Sequence, residues 1–391
     1  MTASASRSAW LISAYYFFYY GAIGCIIPYS PLYYQHIGLG GEQIGLLSGL
    51  APIVLLVAGP LWGSIGDRFN LHRRLLPIAS AGVILPAIVI SQIGGGAAGA
   101  PLPALITLTL VQSFFGTAIG PLMDSAALEI AELSHVPFGQ LRLWGSVGFM
   151  LISTGVGWLL TFLPVQWLFY SYAGCMVIAA LVALPLPARK HYWSAPMWQG
   201  FRQLLGQPTL ALFLGAAFLI GAAAAAVNYF FPLYIQEIGG GPGLIGLAGA
   251  VGAIAEMPIL FRAESMIKRV GGLWAGVAIG AAAYTVRWWL LSLVTDPALV
   301  IILQLAHSIS FGLFLVSSVA YVESQAPPGL SATAQSLLTV ATWGLGAVVG
   351  AFGGGVVFAR FGSQSFFRLA GLATLLAFGL LLVLRGVKRK A

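Results

Sequence analysis

Five ionisable side chains interrupt stretches of this sequence that are otherwise apolar: Asp124, Arg142, Glu256, Arg287 and His307. A charge inside so apolar a segment is costly unless it is paired or reaches water, so each is a candidate for chemistry. Asp124 and Arg142 lie one to two helical turns from the facing ends of consecutive apolar runs, at comparable depth, which makes an ion pair between them geometrically reasonable. Such a pair would either pin two helices together or handle a solute or a proton. Glu129 and Glu132 lie nearer the end of their run and read as solvated. Glu256, Arg287 and His307 fall at similar depth in three later runs. Arg keeps its proton, so Arg287 would hold a carboxylate or a bound anion. Desolvation and a neighbouring guanidinium pull the proton affinity of a buried carboxylate in opposite directions, so opening Glu256 to water would change its balance. His307 could relay that proton or hydrogen-bond a solute. The competing reading is a static polar knot tying three helices.

Aromatic residues add a second signal. Tyr15, Tyr16, Tyr19 and Tyr20 cluster in the first apolar run, with Tyr16 and Tyr20 on one helical face and Tyr15 and Tyr19 on another. One pair is expected to offer rings and hydroxyls to a solute, and the other to pack between helices. Trp144 and Trp343 could line the same path or serve packing alone.

The elements that position these residues follow from composition. Of 391 residues, 59% are hydrophobic and 7% charged, against about a quarter charged in soluble domains. Such a chain is solvated by lipid, and continuous apolar runs select helices over a barrel. The runs fall at about 10–34, 43–66, 75–96, 102–127, 140–162 and 166–186, then about 209–235, 243–267, 272–294, 298–322, 332–358 and 363–386. That is six, a more polar connector, and six: an all-α membrane protein of twelve spans in two bundles, 1–187 and 208–391, joined by 188–207. The first run shows no small-residue cleavage site and reads as a retained helix. Met197, Phe201, Leu204 and Leu205 in the connector are spaced for one face of an interfacial helix.

The net charge of +8 sits in the connections, so it reports orientation rather than nucleic acid binding. Arg7, Arg68, Arg73, Arg74, Arg189, Lys190, Arg202, Lys268, Arg269, Arg385, Lys388, Arg389 and Lys390 fall on one side of a twelve-span chain. Only Arg360 and Arg368 fall on the other, with Glu42, Glu237 and Asp296. The positive-inside rule then places both termini in the cytoplasm and the protein in the cell (inner) membrane. Cys25 and Cys175 lie inside apolar runs, without disulfide or metal spacing.

An internal repeat relates the bundles. Residues 31–46, PLYYQHIGLGGEQIGL, align without a gap to residues 232–247, PLYIQEIGGGPGLIGL. Pro31/Pro232, Tyr33/Tyr234, Gln35/Gln236 and Gly38/Gly239 are among the identities. Two parallel six-helix repeats are an established transporter architecture.

The loop after the second run, Gly63-Ser-Ile-Gly-Asp67-Arg68-Phe-Asn70-Leu-His-Arg73-Arg74, resembles the G-x-x-x-D-R-x-G-R-R-type signature of the major facilitator superfamily. Gly63 would permit close helix contact, and Asp67 could meet the positive N-terminal end of a neighbouring helix, the eleventh by position. Gly63, Asp67, Arg68 and Arg74 would thus latch one conformation. Asn70 stands where the family has Gly, and the second-half counterpart near Lys268-Arg269 is degraded.

Pro121-Leu-Met-Asp124 with Gly139-Gln-Leu-Arg142-Leu-Trp144-Gly145 resembles the phenylpropionate permease group and, more distantly, lactose permease and nucleoside–proton symporters. Ala255-Glu256, Val286-Arg287-Trp288 and His307 fit the same group. The resemblance implies a secondary active transporter, working as a monomer by proton symport of a small aromatic or other organic acid. Sugar or nucleoside symport and proton-driven efflux are the alternatives. It casts Asp124 and Arg142 as solute ligands; with the ionic and aromatic signals above, the candidate solute ligands are Asp124, Arg142, Trp144, Tyr16, Tyr20, Arg287 and Trp343, and the candidate proton-coupling groups are Glu256, His307 and Asp124, Glu256 before Asp124. Ser310 replaces the tenth-helix carboxylate that carries the proton in lactose permease. No HExxH, Gly-x-Ser-x-Gly or phosphate-binding loop points to an enzyme, and no cofactor or metal is expected.

Overall fold

The computed structural model describes residues 3–69, 72–93, 101–186, 198–327 and 330–390. Among these residues the chain is helical throughout, with no strand. The first span is Ala3–Ile26, continued by Ser30–His36; the second is Gly41–Phe69; the third is His72–Gly82 with Ile84–Ile93. Leu102–Ser134, Phe138–Leu159 and Trp167–Ala183 complete the first six. After a short helix, Trp198–Leu205, come the seventh, Pro208–Glu237, the eighth, Pro242–Phe261, and the ninth, Leu273–Leu291. The tenth runs from Pro297 to Gln325 and the eleventh begins at Ser331. The eleventh and twelfth are continuous in hydrogen bonding but turn at Gly362, whose φ of 74° breaks the helical path. Proline at the first turn opens the seventh and tenth helices, where a missing N–H costs nothing. Asp296 caps the tenth by accepting from the Ala298 N–H at 2.8 Å.

The chain divides into two compact units, residues 1–193 with 241–250, and residues 194–240 with 251–391. Each is built on the repeat. Tyr33 donates to the Ile90 carbonyl at 2.6 Å, and the Tyr234 hydroxyl is shared between the Leu291 carbonyl at 3.1 Å and the Val294 carbonyl. Ile90 and Leu291 stand at the same offset as the tyrosines themselves. Each tyrosine ring also meets a phenylalanine edge-on at 4.8 Å, Phe169 in one half and Phe367 in the other. Gly38 and Gly239 end the preceding helices at φ 92° and 86°, a conformation open to glycine.

Glycine also sets the central crossings. A Cβ on Gly148 of the fifth helix would lie 2.1 Å from the Phe17 carbonyl oxygen of the first. A Cβ on Gly350 of the eleventh would lie 2.1 Å from the Ala222 carbonyl oxygen of the seventh. In both halves, then, backbone rests on backbone, the approach that small residues allow in lipid. One expectation needs correction. Leu204 is fully buried while Leu205 is 51% exposed, so they do not share a face, being about 100° apart on the short helix. Met197 and the Phe201 side chain lie outside the described residues.

Candidate functional site

The first unit gathers its polar groups around the first helix. Tyr16 and Tyr20 stack one turn apart, with ring centroids at 6.2 Å and planes 11° apart. Tyr16 donates its hydroxyl proton to Asp124 Oδ1 of the fourth helix at 2.6 Å. Arg142 Nη2 of the fifth helix donates to the Tyr20 hydroxyl at 3.2 Å, and its guanidinium carbon lies 5.4 Å from the Tyr20 ring centre. No ion pair joins Asp124 to Arg142 among the described residues, contrary to the sequence expectation: each is taken by a tyrosine of the stacked pair instead. The cluster is open on one side. Tyr16 is fully buried, Asp124 is half-buried and Arg142 is exposed. Trp144 is 41% exposed and tilts against Trp10 at 6.3 Å. The other tyrosine pair packs: Tyr15 is buried, shares a hydrogen bond with Ser80 Oγ at 2.6 Å and stacks on Tyr19.

Close glycine packing holds this geometry. A Cβ on Gly145, one turn from Arg142, would meet the Tyr20 ring at 2.7 Å. Gly145 therefore leaves the ring the room it occupies.

The second unit brings Glu256, Arg287 and His307 together from the eighth, ninth and tenth helices. Arg287 is 6% exposed. Its Nη1 lies 3.0 Å from His307 Nδ1 and 3.5 Å from Ser310 Oγ, and its Nη2 donates to Gln304 Oε1. Its Nε–H has no partner among the described residues. Because a guanidinium only donates, His307 Nδ1 is the acceptor, and the neutral ring carries its proton on Nε2. That nitrogen faces Glu256 Oε2 at 3.7 Å, beyond direct hydrogen-bond reach but within one small adjustment of it. Glycines again permit the approach: a Cβ on Gly312 would sit 3.5 Å from Glu256 Cβ, and one on Gly252 would sit 3.5 Å from the His307 ring.

An aromatic wall flanks His307. Phe311 stacks on the imidazole at 5.0 Å and 6°, and Trp343, 47% exposed, meets Phe311 edge-on at 6.3 Å. Both flanking residues sit in π-helical turns, Ser308–Leu313 and Val340–Gly346. The side chains of Asp67 and Arg68, and the packing of Gly63, lie outside what is described; Arg74 is exposed.

Residues 9–369 match the MFS_1-like family. The maltose permease of Geobacillus stearothermophilus is 31% identical over 385 residues, covering 96% of this chain and 94% of that protein. The chain belongs to the MFS_1-like family of major facilitator transporters. A probable 3-phenylpropionic acid transporter of Escherichia coli (strain K12) is 26% identical over 316 residues, covering 79% and 81% of the two chains. Among solved structures, the nucleoside transporter NupG superposes with a TM-score of 0.84 at 17% identity, over 96% of this chain and 98% of that one, a likeness of fold.

As an MFS_1-like transporter, the protein is a multi-pass membrane protein that moves a small solute and is not an enzyme. Two features of its polar clusters escaped the sequence reading. Gln304 is buried on Arg287; it stands three residues before His307, which stands three before Ser310, and that spacing on one helical face was the available signal. The π-helical turns have no local sequence signature, yet such turns often mark functional positions in helices.

Proposed function

We propose that this MFS_1-like transporter is a proton-coupled symporter of a hydroxyl-rich solute of the sugar class. The observation that carries the reading is that Asp124 and Arg142 are held by the stacked Tyr16 and Tyr20 rather than by each other. A carboxylate acceptor and a guanidinium donor beside aromatic faces match vicinal hydroxyls and the apolar C–H face of a pyranose. A solute carboxylate would instead meet Asp124, so the aromatic acid expected from the sequence takes second place. Arg142, and the similarity to a probable 3-phenylpropionic acid transporter, keep that reading testable. Similarity to a maltose permease along nearly the whole chain supports the first.

Proton coupling falls to Glu256. Its carboxylate can take up or release a proton, while Arg287 fixes the tautomer of His307 so that Nε2–H faces it. Both termini lie in the cytoplasm, and solute and proton enter together. The experiment is uptake of labelled maltose by proteoliposomes under an imposed inward proton gradient. Uptake should follow the gradient, and Glu256→Gln should abolish accumulation while sparing solute exchange at equal concentrations. Gradient-independent uptake at full rate would remove symport. Inhibition by 3-phenylpropionate and not by maltose would replace the sugar with an organic acid.

A further inference from the structure

The ninth and twelfth helices of the second unit are tied at three heights. Trp274 Nε1 donates to the Leu381 carbonyl at 3.1 Å, Thr285 and Thr374 share a hydrogen bond at 3.0 Å, and Trp289 Nε1 donates to the Arg368 carbonyl at 3.3 Å. Around the last contact the helices leave a groove of about 470 Å³, lined by Trp289, Ser292, Leu293, Arg368, Leu369 and Leu372. Gly371 lets Trp289 pack closely on the twelfth helix. A Cβ there would stand 2.4 Å from Trp289 Cδ1, so the indole lies on bare backbone. The walls are apolar and open outward: Leu293, Leu369 and Leu372 are 69%, 45% and 44% exposed.

Arg368 stands at this groove. Its side chain is exposed, and among the described residues its guanidinium has no hydrogen-bond or ion-pair partner. The charge pattern makes it an exception too, since Arg360 and Arg368 alone among the basic residues fall on the side away from the termini, and Arg360 has a protein partner. The repeat sharpens the contrast. In the first unit the corresponding place, between the third and sixth helices, is closed by Gln92 Nε2 donating to the Tyr170 hydroxyl. Leu293 stands where Gln92 stands in the first half, so that closing hydrogen bond cannot form in the second.

We propose that this groove holds an anionic phospholipid, its phosphate on Arg368 and an acyl chain along Leu293, Leu369 and Leu372. A multi-pass helix pair faces lipid, the exposed leucines suit an acyl chain, and an interfacial Trp beside a cation suits the headgroup level. The lining contains no carboxylate, so the choline or ethanolamine cation of a zwitterionic headgroup would find no countercharge there. With the termini in the cytoplasm the site opens to the outer leaflet. The proposal does not depend on which solute is carried.

Native mass spectrometry of the purified full chain tests it, with phosphatidylglycerol and phosphatidylcholine of matched acyl chains added in turn, and glycerol 3-phosphate as the free-headgroup arm. Both lipids offer Arg368 a phosphate, but phosphatidylcholine also sets an uncompensated cation beside it, so phosphatidylglycerol should bind about tenfold more tightly. Arg368→Gln should erase that preference and Arg368→Lys should keep most of it. Leu372→Trp, which fills the groove and leaves Arg368 in place, should weaken both lipids. Thermal melting of each variant checks that it is folded. Equal binding of the two lipids to the wild-type chain, an undiminished preference in Arg368→Gln, or displacement of lipid by glycerol 3-phosphate would overturn the proposal.

Discussion

Tyr15 and Tyr16 are adjacent, both fully buried, and both hydrogen-bonded through their hydroxyls at 2.6 Å. Replacing each by phenylalanine removes the same atom, so the two variants separate a packing tyrosine from a site tyrosine. In Tyr15→Phe the lost partner is Ser80, which keeps its own hydrogen bond to the Leu76 carbonyl at 2.7 Å. A neutral bond of this kind contributes about 1 kcal/mol, so the thermal midpoint should fall by about 2 °C and solute affinity should hold. In Tyr16→Phe the lost partner is the Asp124 carboxylate. A bond to an ionised acceptor contributes about 1.5–3 kcal/mol, and its loss frees Asp124 to leave the position that faces Tyr20 and Arg142. If only the lower end of that range reaches the solute, affinity drops roughly tenfold. Isothermal titration with maltose, beside counterflow uptake in proteoliposomes, measures it. The opposite sign is physically open: were Tyr16 merely competing with solute for the carboxylate, Tyr16→Phe would bind more tightly. Tighter or unchanged binding, or equal weakening in both variants, would refute the assignment of Tyr16 to the site.

Two further outcomes follow from the packing. Gly148→Ala places a methyl 2.1 Å from the Phe17 carbonyl oxygen, so the first and fifth helices must part by about 1 Å at a cost of about 1–3 kcal/mol. Melting temperature and solute affinity should fall together, because the 3.2 Å contact of Arg142 with Tyr20 spans the same crossing; Gly139→Ala, with open space around it, should change neither. Tyr33→Phe and Tyr234→Phe each remove the tyrosine hydroxyl bond to the end of the third or ninth helix, so each should lower thermal stability by a similar margin, about 1 kcal/mol, and a loss confined to one of them would break the equivalence of the halves.

The repeat was legible because it is written in residues that must satisfy backbone groups. A tyrosine hydroxyl buried in lipid needs an acceptor, and a helix ending in a tight reversal needs glycine at positive φ, so Tyr33/Tyr234 and Gly38/Gly239 repeat along with the fold. Grouping Glu256, Arg287 and His307 was legible because counting helical rise fixes depth, and few ionic side chains exist at that depth. Depth does not fix azimuth, however. Asp124 and Arg142 are at matching heights, but whether they reach each other or a tyrosine depends on helix rotation, and the sequence leaves that open. The same ambiguity misplaced Leu205. Neutral partners are harder still: Gln304 and Ser310 carry no charge that would flag them in an apolar run, although their spacing with His307 was visible.

The two halves share a scaffold and divide its chemistry unequally. In the first, the ionic groups are partly exposed and each is held in place by a tyrosine of the stacked pair. In the second, a buried guanidinium rests on neutral acceptors, His307 Nδ1, Gln304 Oε1 and Ser310 Oγ, with one N–H unpaired among the described residues. A buried cation without a countercharge is expensive, and Glu256 stands one imidazole away from it. The charge of the group therefore rests on one proton: with Glu256 ionised the trio is neutral, and with Glu256 protonated it carries the full charge of Arg287. Any motion that wets the cluster relieves the second state more than the first. A proton on Glu256 would thus favour the conformation in which this half is open to water, and its release would favour the closed one, which is the bias that the proposed symport requires of Glu256.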